Sequence, residues 1–281
     1  MTAAPTAPAA PTGSPAFNAS PGSAWPTAPG GSAGLGRRDR QGLVTIVVPA
    51  KNEAAAIART LSALPLATLG VEGYTSEVVV LDGNSRDETS RIAEGLGARV
   101  LLDAQPGKGN AMRLARRHFR GDYVVMLDAD GTYAPDAIPR VLGPLAFGTA
   151  DVVMGSRVVQ PGAMTAVHKV GNRILSLSAA SLYGRWCPDL CTGLWGFRAS
   201  ALHSLPLQSR RFGLEAEFFA LASRMRLRVA SVPVDYLPRQ GSSNLRAVRD
   251  GLRILRRLVV TRVARMPRPG EAQPSPSLET A

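Results

Sequence analysis

The chain has 281 residues, 45% of them apolar and 19% charged, and a net charge of +12 at neutral pH. That length and apolar content suffice for one sizeable core, or at most two. The excess of cations favours anionic partners without deciding between nucleotides, nucleic acid and lipid. Residues 1–40 are almost entirely Ala, Pro, Gly, Ser and Thr, too poor in large apolar surface to offset ordering entropy, and are expected to form a disordered tail. A second tail is expected over residues 267–281. No basic segment followed by an apolar one opens the chain, and no apolar run reaches the roughly 18 residues that span a bilayer. The protein is therefore expected to be cytoplasmic. Cys187 and Cys191 are the only cysteines; with no second pair and no nearby His they read as reduced structural thiols rather than zinc ligands.

Leu43 to Pro49 reads as a buried strand stopped by proline, and Asn52 and Glu53 open a helix through Ala54, Ile57 and Leu61. Glu77 to Asp82 is a second strand, Gly83 to Ser85 a turn, and Thr89 to Leu96 a second helix. Arg99 to Leu102 is a third strand, Gln105 to Asn110 a glycine-rich loop carrying Lys108, and Ala111 to Phe119 a basic helix. Tyr123 to Leu127 has the make-up of a strand buried on both faces, and it ends in two carboxylates. In extended backbone, residues i and i+2 face the same side, so Asp128 and Asp130 direct their oxygens into one space, with Gly131 freeing the turn. Carboxylates so placed repel unless a cation sits between them. A hard divalent ion, Mg²⁺ or Mn²⁺, carrying a diphosphate meets that need; a solvated Asp pair at a loop start is the plainer alternative. Strands alternating with helices imply an α/β fold with a parallel, doubly wound sheet that binds ligands at the carboxyl ends of its strands. Asp82, Asp128 and Asp130 all fall at such ends.

The second half is less regular. Asp151 to Met154 is a strand closing on Gly155 and Arg157, and His168 to Leu182 a helix bearing Lys169 and Arg173. Asp189 to Gly193 is a polar turn before an apolar run, Leu194 to Phe197. Gly213 begins a helix whose Glu215 and Glu217 sit among apolar neighbours, each readable as a base or as a solvent-facing acid. Arg228 to Val234 is a strand broken by Pro233, hence an edge, and Arg239 to Arg246 a mobile basic loop. From there Leu245, Val248, Leu252, Leu255, Val259 and Val263 recur at spacings of three and four, beside Arg246, Arg249, Arg253, Arg256 and Arg257. Such a basic amphipathic helix can lie on an anionic membrane, or pack on the domain with its arginines in water.

Seven pieces in order carry a resemblance: Val48-Pro-Ala-Lys-Asn-Glu53, Leu81-Asp-Gly-Asn-Ser85, Gly107-Lys-Gly109, Leu127-Asp-Ala-Asp130, Gly155-Ser-Arg157, Asp189 with Thr192 and Gly193, and Arg239 with Gly241 and Ser243. From about Val44 to Leu258 the chain resembles family-2 glycosyltransferases of the GT-A fold, and within them the polyprenol-phosphate (dolichol-phosphate) mannosyl- and glucosyltransferases. The resemblance implies a Rossmann-like, mostly parallel sheet flanked by helices over residues 41–242 and a C-terminal amphipathic helix over 243–266. It further implies a metal-dependent, inverting transfer of a hexose from a nucleoside diphosphate sugar, with a polyprenyl phosphate as acceptor and peripheral attachment to the inner face of the cell membrane. By the same resemblance Pro49, Lys51 and Glu53 hold base and ribose, and Asp82 completes the nucleoside pocket. Lys51 stands where the family more often has an aromatic residue. Asp128 touches ribose or a metal-bound water, Asp130 binds the metal that bridges the phosphates, and Thr132 supplies a further ligand. Arg157 and Arg173 meet the acceptor phosphate, and Arg239 clamps the donor diphosphate. Asn244 stands where the family usually has lysine, with Arg246 as the candidate replacement.

Lys108, between two glycines, can approach a phosphate or simply sit in a turn. No His–Asp pair is legible as a general base, which favours a phosphate nucleophile over a hydroxyl. The rivals are the same donor chemistry with a soluble hydroxyl acceptor, a nucleotidyltransferase, and nucleic-acid binding through the basic helix. A nucleotidyltransferase would carry a glycine-rich basic loop directly after the first strand, where this chain has Pro49 to Glu53. No stacking platform supports nucleic acid, so no such partner is expected.

Overall fold

Runs of β-branched residues build a sheet whose two faces are both covered. The computed structural model describes residues 42–103, 107–210, 213–239 and 247–266. Both expected tails, the basic loop from Gln240 to Arg246, and Gln105 and Pro106 lie outside the described residues. In chain order the elements are β1 (Gly42–Ala50), α1 (Ala54–Ser62), α2 (Leu66–Val71), β2 (Tyr74–Asp82), α3 (Thr89–Gly95), β3 (Arg99–Leu102), α4 (Lys108–Ala115) and β4 (Tyr123–Met126). There follow α5 (Ile138–Ala146), β5 (Val152–Val159), α6 (Ala166–Tyr183), β6 (Trp195–Arg198), α7 (Ala199–Ser204), α8 (Leu214–Arg224), β7 (Val229–Tyr236) and α9 (Ala247–Val263). The strands form one sheet in the order β3-β2-β1-β4-β6-β5-β7.

β1, β2, β3 and β4 run parallel, which brings the carboxyl ends of β1, β2 and β4 to one rim. β6 enters antiparallel between β4 and β5, and β7 pairs parallel with β5 as an outer strand, where Pro233 costs no ladder bond on a second side. The sheet is thus mostly parallel, as expected. Alternation within the strands distributes the core. Val47, Val79, Met126, Trp195 and Phe197 face one layer with Met112, Phe218 and Leu258, whereas Ile46, Val48, Val80 and Val125 face the other with Ile57, Ile138 and Leu142.

Two expectations need correction. Lys108 and Gly109 form the first turn of α4 rather than a loop, with Gly107 before them at φ 128°, a conformation that suits glycine. Residues Ala54–Val71, where no such run was expected, are by length and composition apolar enough to span a bilayer. The chain breaks them at Pro65 into α1 and α2, which bury Ile57, Leu61 and Leu69 against the domain. α9 packs on α6 and α8 mainly through residues beside its apolar stripe, of whose described members Leu255 alone meets the core. Leu258, Asp250 and Thr261 are buried, whereas Val248, Leu252, Val259 and Val263 point outward. Polar pairings choose that face: Arg257 meets buried Glu217 of α8 at 3.4 Å, and Arg224 donates to the carbonyls of Thr261 and Ala264.

Candidate active site

A cavity of about 560 Å³ opens at the rim where β1, β2 and β4 end, a volume typical of small-ligand sites. Of the residues singled out in the sequence, Pro49, Lys51, Glu53, Lys108, Asp128, Asp130 and Arg239 line it. Asp82, Thr132, Arg157 and Arg173 are not among its lining residues.

β1 delivers the segment from Pro49 to Glu53, which two loops hold in place. Asn52 adopts φ 54°, a left-handed conformation that Asn tolerates, and its side chain accepts from Arg86 N at 2.8 Å. Its own N–H donates to Ser85 Oγ at 2.9 Å, and Glu53 N donates to Thr89 Oγ1 at 2.9 Å. Lys51 lays its stem along Gly83 and donates to the Gly83 carbonyl at 2.8 Å. Asp82 is buried and accepts from Ser85 N and from the Ser85 and Ser90 hydroxyls. It therefore shapes the Gly83–Ser85 turn beneath the cavity.

Asp128 and Asp130 follow β4, and each meets a cation from elsewhere in the chain. Lys108, in the first turn of α4, reaches Asp128 Oδ1 at 2.5 Å and Glu215 Oε1, at the start of α8, at 2.8 Å. Burial opposes charge on that ammonium, but the two carboxylates outweigh it and hold the lysine above its ordinary pKa. Burial in turn pushes the Asp128 carboxyl up, with Lys108 pulling against it. Asp130 Oδ1 accepts from Thr132 N at 3.1 Å and from its hydroxyl at 2.6 Å. Thr132 is itself buried, so its hydroxyl orients Asp130. Asp130 Oδ2 lies 3.2 Å from Arg239, whose other amino group donates to Glu53 at 3.3 Å. Burial raises the Glu53 pKa, with Arg239 lowering it and Asp130 adding to the rise.

Arg157, expected to meet the acceptor phosphate, is paired within the fold. Its fork closes on buried Asp189 at 2.7 and 2.6 Å, and its guanidinium lies 5.1 Å from the Tyr236 ring centroid. Asn172 donates to the same carboxylate and accepts from Cys191 N. This network fixes the turn from Asp189 to Gly193, and Gly193 lies so close beneath Asp128 that a Cβ there would meet Asp128 Oδ2 at 1.9 Å. Arg173 is exposed on α6, with its guanidinium 5.6 Å from the Trp186 ring centroid.

Sequence reasoning passed over three features of the site. Gly193 was legible as a turn residue and as part of the resemblance, but not as the neighbour of Asp128. Cys191 and Ile254 line the cavity, yet nothing in their spacing marks them. Burial pushes the Cys191 thiol up to about 12, which disfavours its thiolate. Glu217 is buried, away from the cavity lining, and accepts from Gln208 N and Ser209 N. Neither reading of it as a base or as a solvent-facing acid survives.

Among the described residues no three His, Cys, Asp or Glu side chains gather to hold a metal by themselves. Asp128 and Asp130 nevertheless fit a hard ion completed by phosphate oxygens, because Mg²⁺ is ordinarily held through one or two carboxylates plus substrate phosphates.

A mostly parallel sheet with paired aspartates at its carboxyl rim, opening on a cavity lined by three cations, is the architecture of a GT-A glycosyltransferase. The chain belongs to glycosyl transferase family 2, which matches residues 45–205. It is 37% identical over 213 residues to "Glycosyltransferase AglJ" of Haloferax volcanii, covering 74% of this chain and 68% of that one. It is 30% identical to the "Dolichyl-phosphate hexose transferase" of the same organism, covering 77% and 92%. Among solved structures it is similar to glucosyl-3-phosphoglycerate synthase of Mycobacterium tuberculosis, solved with Mn²⁺, uridine-diphosphate-glucose and phosphoglyceric acid. That likeness has a TM-score of 0.62 and 26% identity, covering 79% of this chain and 78% of that one.

Proposed function

We propose that this glycosyltransferase moves a hexose from a nucleoside diphosphate sugar to a polyprenyl phosphate, with inversion, at the inner face of the cell membrane. The observation that carries the donor half is the convergence of Asp128, Asp130, Lys108 and Arg239 on one cavity. The base and ribose would lie along Pro49, Lys51 and Glu53, above the turn that Asp82 shapes. Asp130, with Asp128 beside it, would hold Mg²⁺ or Mn²⁺, which when bound neutralises charge on the leaving diphosphate. The Mycobacterium synthase solved with Mn²⁺ and a uridine diphosphate sugar supports this reading.

Arg239 now shares its fork between Asp130 and Glu53. A bound diphosphate offers the same fork two stronger acceptors, and the planar guanidinium suits them. A phosphate oxygen of the acceptor attacks the anomeric carbon from the face opposite the diphosphate. The bond from that carbon to the diphosphate oxygen breaks, and its electron pair leaves with the nucleoside diphosphate. No base is needed, because a phosphate monoester with a second pKa near 6 is already anionic at neutral pH.

The acceptor half is supported by the name of the Haloferax dolichyl-phosphate enzyme and by the apolar residues Leu190, Ala216 and Ile254 in the cavity lining. Ile254 belongs to α9, whose outward arginines suit an anionic membrane surface. A soluble hydroxyl acceptor is the second reading, favoured by the Mycobacterium synthase and by Glu215 at the cavity wall. Labelled sugar nucleotides incubated with polyprenyl phosphate, followed by solvent partition of the product, test the proposal. Transfer into the organic phase should require Mg²⁺ or Mn²⁺ and fall at least about 100-fold in kcat for Asp130→Ala. Full activity in EDTA, or label confined to the aqueous phase, would overturn it.

A further inference from the structure

The outward side of α6 is apolar. Leu175, Ser176 and Ala179 bury one side of the helix. On the opposite side Val167, Val170, Ile174 and Leu177 follow one another at spacings of three and four and are 47 to 63% exposed. The solvent side of a helix in a globular domain is ordinarily polar, so this stripe is unpartnered. Trp186, just beyond the helix, is 61% exposed and lies against Arg173. α9 runs beside α6: the Tyr183 hydroxyl donates to the Leu258 carbonyl at 2.7 Å, and Arg262 lies 6.0 Å from the centre of the Tyr183 ring.

Charge identifies the occupant. α6 contains no carboxylate, and the single carboxylate within α9, Asp250, is buried and paired with Arg253 at 2.9 Å. The exposed charges of both helices are therefore all positive, among them Lys169, Arg173, Arg249 and Arg256. A second copy of this face would set cation against cation. An anionic lipid surface supplies both what the stripe lacks and what the arginines need. Tryptophan is also the residue most at home between headgroups and acyl chains.

We propose that the outward face of α6, with Trp186 at its end, is the surface that inserts into an anionic lipid monolayer, while α9 lies alongside and contributes charge. This deepens the membrane part of the function proposed above and rests on that part, but not on the identity of the acceptor. Apolar burial and electrostatic attraction act together in such binding, so it should weaken with salt yet fail altogether without the apolar wedge.

The test is flotation of the full chain with phosphatidylcholine vesicles, with and without phosphatidylglycerol. The wild type should bind only the anionic vesicles. Val170→Glu combined with Ile174→Glu should weaken that binding at least about 10-fold, whereas Ile174→Leu should keep it. Both changes are on the surface, and an unaltered thermal unfolding midpoint would confirm that the domain is intact. Tryptophan fluorescence should shift to the blue on anionic vesicles, and Trp186→Phe should remove the shift. Equal binding by the double variant overturns the proposal, as does a loss seen only with Arg253→Gln and Arg256→Gln. A wild-type dimer that the double variant dissociates in sedimentation would also overturn it, in favour of a second copy. Transfer to a short, water-soluble isoprenyl phosphate separates this from the functional reading. If transfer fails in the wild type while vesicle binding still depends on α6, the acceptor assignment falls and the docking surface stands.

Discussion

Asp128 is held between a cation and a glycine, and both can be probed by small changes. Gly193→Ala would drive a Cβ to within 1.9 Å of the Asp128 carboxylate, so the acid must move. Because the glycine needs no left-handed backbone, the fold should survive. Turnover should drop by about 100-fold, the scale on which an ångström of misplacement is felt at a reacting centre. Steady-state kinetics beside a circular dichroism melt would check both halves, and a normal rate would mean that the position of Asp128 is not critical. Arg239→Lys is the companion change. It keeps the charge that faces Asp130 and Glu53 but loses the fork, so donor turnover should be severely impaired with an unaltered melting curve. An unchanged rate would remove Arg239 from the diphosphate.

At the scale of elements, the position of α9 gives the sharpest contrast. Arg257→Met takes away the charge partner of buried Glu217 and should cost about 1–3 kcal/mol of stability. Leu252→Ser, on the outward stripe, should change stability by less than about 0.5 kcal/mol. Urea unfolding of the two variants measures this directly, and the reverse order would return the apolar stripe to the core. The same packing means that truncation before α9 would open the cavity at Ile254 and uncover the contact of Leu258, so point changes are the better instrument. The recurrence of Val248, Leu252, Leu255, Val259 and Val263 at spacings of three and four was plain in the sequence. Which side it faced was not, because the decision lies with Glu217 and Arg224, partners on another helix. β1, β2 and β4 were legible because their apolar runs and terminal acids are local signals. β6, four residues long with a glycine inside, is a strand only because β4 and β5 flank it. Lys108 and Glu215 are 107 residues apart and meet only in the fold.

For the whole molecule, the topology decides which group can start the reaction. The parallel ends of β1, β2 and β4 gather carboxylates, and α4, α8 and the segment after β7 bring Lys108, Glu215 and Arg239 to meet them. Glu215, at the cavity wall, is the acid read as a possible base toward a hydroxyl acceptor, and it is tied to Lys108 at 2.8 Å. Lys108 is held charged by its two carboxylates, so it offers no lone pair at neutral pH. A phosphate acceptor makes the pH profile a property of the substrate: kcat/KM should rise through about pH 6 as the monoester loses its second proton. Glu215→Gln should lower the rate by loosening Lys108, yet leave that rise in place at the same pH. If Glu215 were the base, the variant would lose the ascending limb together with most of kcat, because the glutamine cannot accept the proton. Rate measurements from pH 5 to 8 on both proteins, with the same acceptor, distinguish the two. Disappearance of the limb in the variant would reassign the acceptor as a hydroxyl and Glu215 as the group that activates it.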